Sequence, residues 1–131
     1  MKSDGVAFDA WAWFEILDGS LVGQRLWKNY VLPRTAVTPA LAVAEVARVL
    51  HRRKGVKAAN EFVQSARIRS RIHAMDDDIA ALAGQLWQHL RARHHDASLA
   101  DATMLATARA LGIPLISRDP CFKGCADVRP E

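Results

Sequence analysis

Four acidic residues stand at positions from which carboxylates can act together. Asp9 and Asp119 each come at the end of an apolar, strand-like run. Asp101 opens the predicted helix that leads into the second run, and Glu45 lies in another helix among apolar residues. Because open parallel sheets bind ligands at the carboxyl ends of their strands, we expect Asp9 and Asp119 to lie along one edge. Carboxylates in such a place bind hard cations or carry out acid–base chemistry.

Each of the four acids also has a purely structural explanation. Asp9 and Asp119 suit turns, and Asp101 suits a helix cap. Glu45 suits an ion pair with Arg48, three residues later on the same helix. Taken one at a time, these explanations are the better ones, so a functional site depends on the four acids in combination.

The histidines and cysteines of the sequence do not form a convincing nucleophilic catalytic site. His94 and His95 precede a cap in a predicted loop, and Cys121 has no obvious neighbouring base. Cys121 and Cys125 form an isolated C-x3-C, which is a poor zinc signature without further Cys or His at finger-like spacing. We interpret the two cysteines as reduced thiols, and a local disulfide between them is the open alternative.

The predicted elements alternate along the chain as in an open parallel α/β sheet. A buried strand spans residues 5–9, and two helices separated by a break at residues 18–20 follow. Thr38 and Pro39 predict a helix start, with Thr38 as the N-cap, and Gly55 predicts its end. The later elements are a helix over residues 57–66, a strand over 69–74, a helix over 79–93 capped by residues 76–78, a helix over 99–112, a strand over 113–117 and a weakly indicated strand over 126–129.

The charged residues are distributed unevenly. The chain carries a net charge of +4, and eight Lys or Arg against a single acid lie between Arg48 and His73. A basic middle in an otherwise acidic chain is typical of a protein that binds a polyanion such as nucleic acid. A solvated helix face explains the same run without any function.

Chain length and hydropathy limit the class of protein. A chain of 131 residues is long enough for one domain and too short for two, so we predict a single domain over residues 1–131. The longest uncharged run, residues 79–90, is too short to span a bilayer. Lys2, Asp4 and Asp9 interrupt the N-terminus before the apolar region of a secretory signal can form. We therefore expect a cytoplasmic location.

The most specific motif lies in the C-terminal third. The stretch LADATMLATARALGIPLISRDPCFK, which begins at Leu99, resembles the signature of PIN-domain ribonucleases, in particular the VapC toxins of type II toxin–antitoxin pairs. The signature positions are taken by Asp101, Gly112, Pro114, Ser117, Asp119 and Phe122. The strand that ends at Asp9 and the helix that contains Glu45 resemble the family's first two acidic segments. The resemblance covers nearly the whole chain and implies a three-layer α/β/α sandwich with a central, mostly parallel sheet.

The resemblance also implies a metal site. It assigns four acids as the catalytic, metal-binding set for Mg²⁺ or Mn²⁺: Asp9, Glu45, Asp101 and Asp119. Four carboxylates forced together repel one another, which raises some of their pKa values unless a hard, oxygen-seeking cation lies among them. One or two such ions can activate water and stabilise charge on a scissile phosphate. Ser117 keeps the supporting hydroxyl of the family's commoner Thr, whereas Ala10 replaces a small hydroxyl residue that is often found after the first Asp.

The activity implied is that of a Mg²⁺- or Mn²⁺-dependent endoribonuclease that hydrolyses RNA phosphodiester bonds. Arg48, Arg52, Arg118 and Lys123 are candidate RNA phosphate contacts because they lie close in sequence to the acids. The resemblance further implies a homodimer and a small antitoxin protein that wraps a hydrophobic groove and reaches the active site.

Two other interpretations stay open. An interaction module with weak or vestigial nuclease activity would account for the apolar, aromatic segment over residues 11–30, although packing in the core explains about half of it. A housekeeping PIN nuclease of RNA processing would have the same acids and no antitoxin. A short neighbouring reading frame that encodes a DNA-binding fold with an amphipathic tail would favour the toxin.

Overall fold

In the computed structural model, which describes residues 5–131, the centre of the protein is a five-stranded sheet. Its strands are β1 (Val6–Phe8), β2 (Ala36–Pro39), β3 (Arg71–His73), β4 (Leu115–Ile116) and β5 (Val128–Arg129). They lie in the order β3-β2-β1-β4-β5, and every neighbouring pair is parallel. All carboxyl ends therefore meet at one edge of the sheet. Lys2 and Asp4, on which the expectation about a secretory signal partly depends, lie outside the described residues.

Within residues 5–131, six α-helices cover the two faces of the sheet. They are α1 (Ala10–Asp18), α2 (Leu21–Leu26), α3 (Ala40–Lys54), α4 (Val56–Arg69), α5 (Asp77–Arg93) and α6 (Leu99–Leu111). Successive strand residues point to opposite faces, so Ala7 packs with α5 and α6, whereas Val6 and Phe8 pack with α1, α2 and α4. Helix α3 contributes to both cores, through Ala42 on one side and Val46 on the other. The three-layer α/β/α sandwich implied by the resemblance is confirmed.

The predicted start of α3 is wrong. Thr38 and Pro39 belong to strand β2, which the sequence analysis did not identify, and α3 begins at Ala40 without a side-chain cap. The Thr38 hydroxyl is buried, where it accepts a hydrogen bond from Trp13 Nε1 at 3.1 Å and pairs with the Ser70 hydroxyl at 2.7 Å. A threonine that holds two side chains of the core is not available to cap a helix.

Other helix boundaries agree with their predicted signals. Helices α1 and α2 are separated at Gly19, and α3 ends before Gly55. The Asp76 side chain caps α5 by accepting a hydrogen bond from the Ile79 amide at 2.8 Å. The predicted strand over residues 113–117 shortens to the two residues of β4, and the weakly indicated last strand is present as β5.

The aromatic segment over residues 11–30 is partly core. Trp13 is buried and packs edge-to-face against Phe8 and Phe62, with ring centroids 5.6 and 5.5 Å apart. Leu17 and Leu21 of the same segment are 47% and 73% exposed. The segment therefore both fills the core and leaves apolar surface in contact with solvent. Among residues 5–131, no helix is both long enough and apolar enough to cross a membrane.

Candidate active site

The four predicted acids line one cleft at the carboxyl edge of the sheet. The cleft has a volume of about 280 Å³, and Asp9, Glu45, Asp101 and Asp119 all contribute to its wall. Asp9 follows β1 directly and Asp119 lies three residues beyond β4, as the rule for parallel sheets predicts. Helices α3 and α6 carry Glu45 and Asp101 to the same cleft. Four segments that are far apart in sequence thus place one carboxylate each in a common space.

Asp9 is the most deeply buried of these acids. Its side chain is the N-cap of α1, where Oδ1 accepts the amide of Ala12 at 3.0 Å. Burial raises the pKa of Asp9 to about 6, and the neighbouring charges of Asp119 and Glu45 add to the increase. Hydrogen bonds from the Ser117 hydroxyl and the Ala12 amide oppose this increase in the pKa. The metal-free fold thus holds Asp9 where its negative charge is poorly solvated.

Asp101 and Asp119 are also caps. Asp101 completes a capping box with Ser98, since its Oδ2 accepts the Ser98 amide at 2.9 Å while the Ser98 hydroxyl accepts the Asp101 amide at 3.0 Å. Asp119 Oδ1 accepts the amide of Cys121 at 2.9 Å. Each carboxylate uses one oxygen in its cap, so a second oxygen is left for a ligand. A structural role as a cap is therefore compatible with a functional role for these acids.

Glu45 lies half-buried on α3. Burial raises its pKa, the negative charge of Asp101 raises it further, and the Arg48 guanidinium lowers it. The predicted pairing of Glu45 with Arg48 is thus present as a charge interaction, although the two groups do not approach within the 4.0 Å of an ion pair. Mutual repulsion between carboxylates at Glu45 and Asp101 is what a bound cation would relieve.

Cys121 contacts the acidic cluster, which the sequence analysis did not anticipate. One ligand atom each from Asp101, Asp119 and Cys121 lie within 4.8 Å of one another. Burial and then the two carboxylates raise the pKa of the Cys121 thiol well above its usual range, so it is protonated at neutral pH. Cys121 and Cys125 are free thiols, so the open alternative of a local disulfide is not adopted. The signal for this contact was the spacing of two residues between Asp119 and Cys121.

Ser117 forms hydrogen bonds with two of the acidic residues. Its side chain is buried, and its hydroxyl oxygen accepts the Asp119 amide at 3.1 Å. The same hydroxyl forms the hydrogen bond that lowers the pKa of Asp9. Ser117 thus connects the acid after β1 with the acid after β4.

The donor set suits a hard divalent cation. Carboxylate oxygens dominate the cleft, and Mg²⁺ and Mn²⁺ prefer oxygen ligands to a protonated thiol. Asp101 and Asp119 are the two acids of the group with Cys121, and Asp9 and Glu45 line the same cleft without belonging to that group. The residues present therefore fit the metal that the resemblance implies.

The four basic residues predicted to contact RNA lie at different places. Arg118 lines the cleft itself, and Lys123 lines an adjoining depression together with Arg118 and Asp119. Arg48 is exposed beside Glu45, and Arg52 is exposed one turn further along α3. Neither Arg48 nor Arg52 reaches the cleft wall.

Arg118 is held in place by contacts that the sequence did not reveal. Its guanidinium lies over the ring of Trp11, 5.2 Å from the centroid, and donates to the carbonyl oxygen of Pro130 and to the side chain of Glu131. Glu131 also pairs with Arg25 of α2. Trp11 therefore forms part of the cleft wall beside Arg118.

Comparison with known proteins agrees with this architecture. A toxin–antitoxin complex from Klebsiella pneumoniae contains a chain 21% identical to this one, with a TM-score of 0.78 over 95% of this chain and 96% of that chain. VapC20 of Mycobacterium tuberculosis, described as a sarcin–ricin loop cleaving toxin, is 25% identical, with a TM-score of 0.70 over 96% of this chain and 100% of that chain. The DNA-bound VapBC of Salmonella typhimurium is 14% identical, with a TM-score of 0.75 over 98% of this chain and 96% of that chain.

A match to a family model identifies the family of this chain. No curated protein matches the chain. The family model of the PIN domain matches residues 6–127, which include all four acids of the cleft. The chain belongs to the PIN-domain family.

Proposed function

We propose that this protein is a divalent-metal-dependent endoribonuclease and the toxin of a VapBC-type toxin–antitoxin pair. The observation that carries the proposal is the convergence of four carboxylates, from four separate segments, on one cleft of about 280 Å³. Membership of the PIN-domain family and the likeness to VapC structures support the same activity.

Asp9, Glu45, Asp101 and Asp119 would hold one or two Mg²⁺ or Mn²⁺ ions. The bound metal supplies an activated water and stabilises the negative charge that develops on the scissile phosphate. The protein fixes three of the four acids before substrate arrives, because Asp9, Asp101 and Asp119 each accept a backbone amide at the start of a helical turn. Ser117 holds Asp9 and Asp119 in their relative positions through its buried hydroxyl.

The reaction is hydrolysis of a phosphodiester bond. The oxygen of water bonds to the phosphorus, the bond from phosphorus to the leaving ribose oxygen breaks, and one proton of the water passes in net to that leaving oxygen. Arg118 lines the cleft and Lys123 lines the depression beside it, so these two cations are placed to contact the phosphates that flank the cleaved bond. Arg48 and Arg52 lie farther out on α3, where they suit contacts to a longer strand.

An apolar groove offers a place for the antitoxin. It has a volume of about 410 Å³ and runs between α1, α2 and α4, with Trp13, Leu17, Trp27 and Phe62 in its wall. Leu17 in this wall is 47% exposed, so the groove presents apolar surface that an antitoxin segment would bury. The Klebsiella pneumoniae and Salmonella typhimurium structures are complexes, which supports a protein partner here. We also expect a homodimer in a cytoplasmic setting, and sedimentation analysis of the purified chain tests the dimer.

Cleavage of total cellular RNA by the purified, partner-free protein tests the activity. Reactions containing Mg²⁺, Mn²⁺ or EDTA are compared, with the Asp101→Asn variant beside the wild type. We expect cutting in either metal, none in EDTA and none by the variant, which keeps an acceptor for the Ser98 amide. Metal-dependent cutting by Asp101→Asn would contradict the assignment of the site.

The two other interpretations predict different results. A folded wild-type protein that cuts no RNA would favour an interaction module with a vestigial site. Cutting by a protein whose gene has no neighbouring antitoxin frame would favour a housekeeping RNA-processing nuclease. The apolar groove between α1, α2 and α4 favours the toxin over the housekeeping enzyme, because it offers a surface on which an antitoxin can bind.

A further inference from the structure

A second basic site lies on the opposite edge of the sheet from the acids. Four arginines line a pocket of about 380 Å³: Arg34, Arg67, Arg69 and Arg71. Arg71 is the first residue of β3 and Arg34 lies two residues before β2, so the pocket is at the amino ends of the strands. The acids lie at the carboxyl ends, and a four-residue strand is about 13 Å long. The pocket is therefore separate from the catalytic cleft.

These arginines are not neutralised by the described part of the protein. Among residues 5–131, no carboxylate lies within ion-pair distance of any of the four guanidinium groups. Elsewhere Arg25, Arg109 and Lys57 do have acidic partners, namely Glu131, Asp127 and Glu61. Part of the basic segment that stood out in the sequence thus forms an uncompensated patch at one place on the surface.

The helix dipole explains only part of this patch. Arg67 and Arg69 lie in the last turn of α4, where cations are favourable near the helix carbonyls, and Arg34 donates to the carbonyl of Ile68 at 2.9 Å. The dipole amounts to about half a negative charge, which is far less than four positive charges. Arg71 also comes from a strand rather than from the helix. The patch therefore keeps a large excess of positive charge.

Arg34 has an unusual backbone conformation. Its φ of 63° lies in the left-handed region, which glycine or asparagine adopts more readily than arginine. In this conformation its guanidinium reaches the end of α4 and joins the pocket. The turn before β2 thus holds a residue in an unfavourable backbone conformation, and the side chain of that residue completes the charged pocket.

We propose that this arginine pocket is a second RNA-binding site, which holds backbone phosphates of the substrate away from the cleaved bond. Guanidinium groups match the geometry of phosphate oxygens and bind them through paired hydrogen bonds. Exposed Ile68 and half-buried Ile72 lie between the arginines, where they offer apolar contacts to ribose and base. The choice of RNA as the ligand, rather than an acidic protein segment, rests on the proposed nuclease function. If the cleft cuts RNA, the same RNA accounts for both the cleft and the pocket.

The salt dependence of RNA binding tests this pocket directly. Binding of a fluorescent, unstructured RNA in EDTA is measured by anisotropy over a series of salt concentrations. The test variants are Arg67→Gln, Arg71→Gln and their combination, since these exposed side chains make no hydrogen bond or ion pair within residues 5–131. The matched control is Arg109→Gln, because Arg109 also ends a helix at the amino edge of the sheet but is already paired with Asp127.

Each lost phosphate contact lowers the slope of log K against log salt by about 0.7 for a single strand, so the double variant should lose about 1.4. We expect the Arg109→Gln slope to stay at the wild-type value. Cleavage of a dinucleotide in Mg²⁺ should be unchanged in the double variant, because so short a substrate cannot span the sheet. Equal slopes for the double variant and Arg109→Gln would overturn the proposal.

The outcomes also separate this proposal from the proposed function. A wild type that cuts no RNA, together with the expected loss of slope, would retain the pocket and reject the nuclease. Normal metal-dependent cutting with no loss of slope would reject the pocket and retain the nuclease. Binding of a polyglutamate peptide that is lost in the double variant, with RNA binding intact, would assign the pocket to an acidic protein and overturn the proposal.

Discussion

At the scale of single residues, the acids of the cleft have two roles at once. Asp9, Asp101 and Asp119 each cap a helical turn through one oxygen, and each also lines the cleft. Capping fixes the carboxylate on a rigid element, which is what a metal site or a catalytic site requires. A structural role in capping therefore does not argue against the proposed functional role of such a residue.

The raised pKa of Asp9 predicts a pH-dependent stability of the metal-free protein. Because burial raises the folded-state pKa from 3.8 to about 6, the contribution of Asp9 to stability is fully present below about pH 4 and is lost as the pH rises through about 6. Asp9→Asn should remove this loss and raise the free energy of unfolding near pH 8 by up to about 3 kcal/mol, since Asn also caps well.

Thermal melts in EDTA at about pH 5 and about pH 8 measure this effect. Asp76→Asn is the matched control, because Asp76 caps α5 through the same kind of contact but is exposed and lies outside the cleft. Equal pH dependence for the wild type and Asp9→Asn would show that the buried Asp9 charge does not destabilise the fold.

At the scale of elements, local signals in the sequence predict most helix ends. The capping box of Ser98 and Asp101 and the glycines at positions 55 and 112 mark boundaries that the structure reproduces. The sequence does not predict strand β2, because Thr38 followed by Pro39 also matches the pattern of a helix start. Only the three-dimensional contacts of Thr38 with Trp13 and Ser70 distinguish a strand from a helix start here. A local pattern cannot specify a contact between residues 25 or 32 positions apart.

The candidate site likewise combines residues with local sequence signals and residues that only the fold brings together. The acids were predicted because each stands next to a recognisable element boundary or in a family motif. Cys121 and Trp11 were not assigned to the site, because their places beside Asp101 and Arg118 depend on how loops fold over the edge of the sheet. Sequence thus predicts the acids of the cleft better than the other residues that line it or contact them.

Close contact between α1 and α2 predicts opposite effects for two glycine substitutions. A Cβ at Gly23 in α2 would collide with the backbone carbonyl of Glu15, so Gly23→Ala should destabilise the protein by about 1–3 kcal/mol or more. Gly84 in α5 has open space around it, so Gly84→Ala should stabilise by roughly 0.5–1 kcal/mol.

Urea denaturation of the two glycine variants measures both free energies. The change is the same in each case, an Ala for a Gly within a helix, so only the surroundings differ. A Gly23→Ala variant with an unchanged or increased free energy of unfolding would contradict the close packing of α2 on the end of α1. Both helices line the apolar groove.

At the scale of the whole molecule, the two edges of the sheet carry opposite charge. Carboxylates gather at the carboxyl ends of the strands, and arginines gather at the amino ends. Mutual repulsion at the acidic edge costs stability that a bound cation returns. Metal binding and global stability should therefore be linked.

Addition of Mg²⁺ or Mn²⁺ should raise the melting temperature of the wild type. At about 100 times the Kd of the metal, binding to the folded state alone adds about 2.7 kcal/mol. The increase should be larger at about pH 8 than at about pH 5, because Asp9 is protonated in acid and binds metal poorly. Asp101→Asn should lose most of the increase. An equal metal effect in that variant would place the ion elsewhere.

The most direct test of the account is the rate at which one defined RNA is cut in Mg²⁺ by five variants. Four of them neutralise the cleft: Asp9→Asn, Glu45→Gln, Asp101→Asn and Asp119→Asn. The fifth, Asp76→Asn, neutralises an equivalent cap outside it. We predict that each of the four lowers the rate by about 100-fold or more while Asp76→Asn keeps the wild-type rate. Wild-type rates in the four folded cleft variants would contradict the claim that these carboxylates form the catalytic centre.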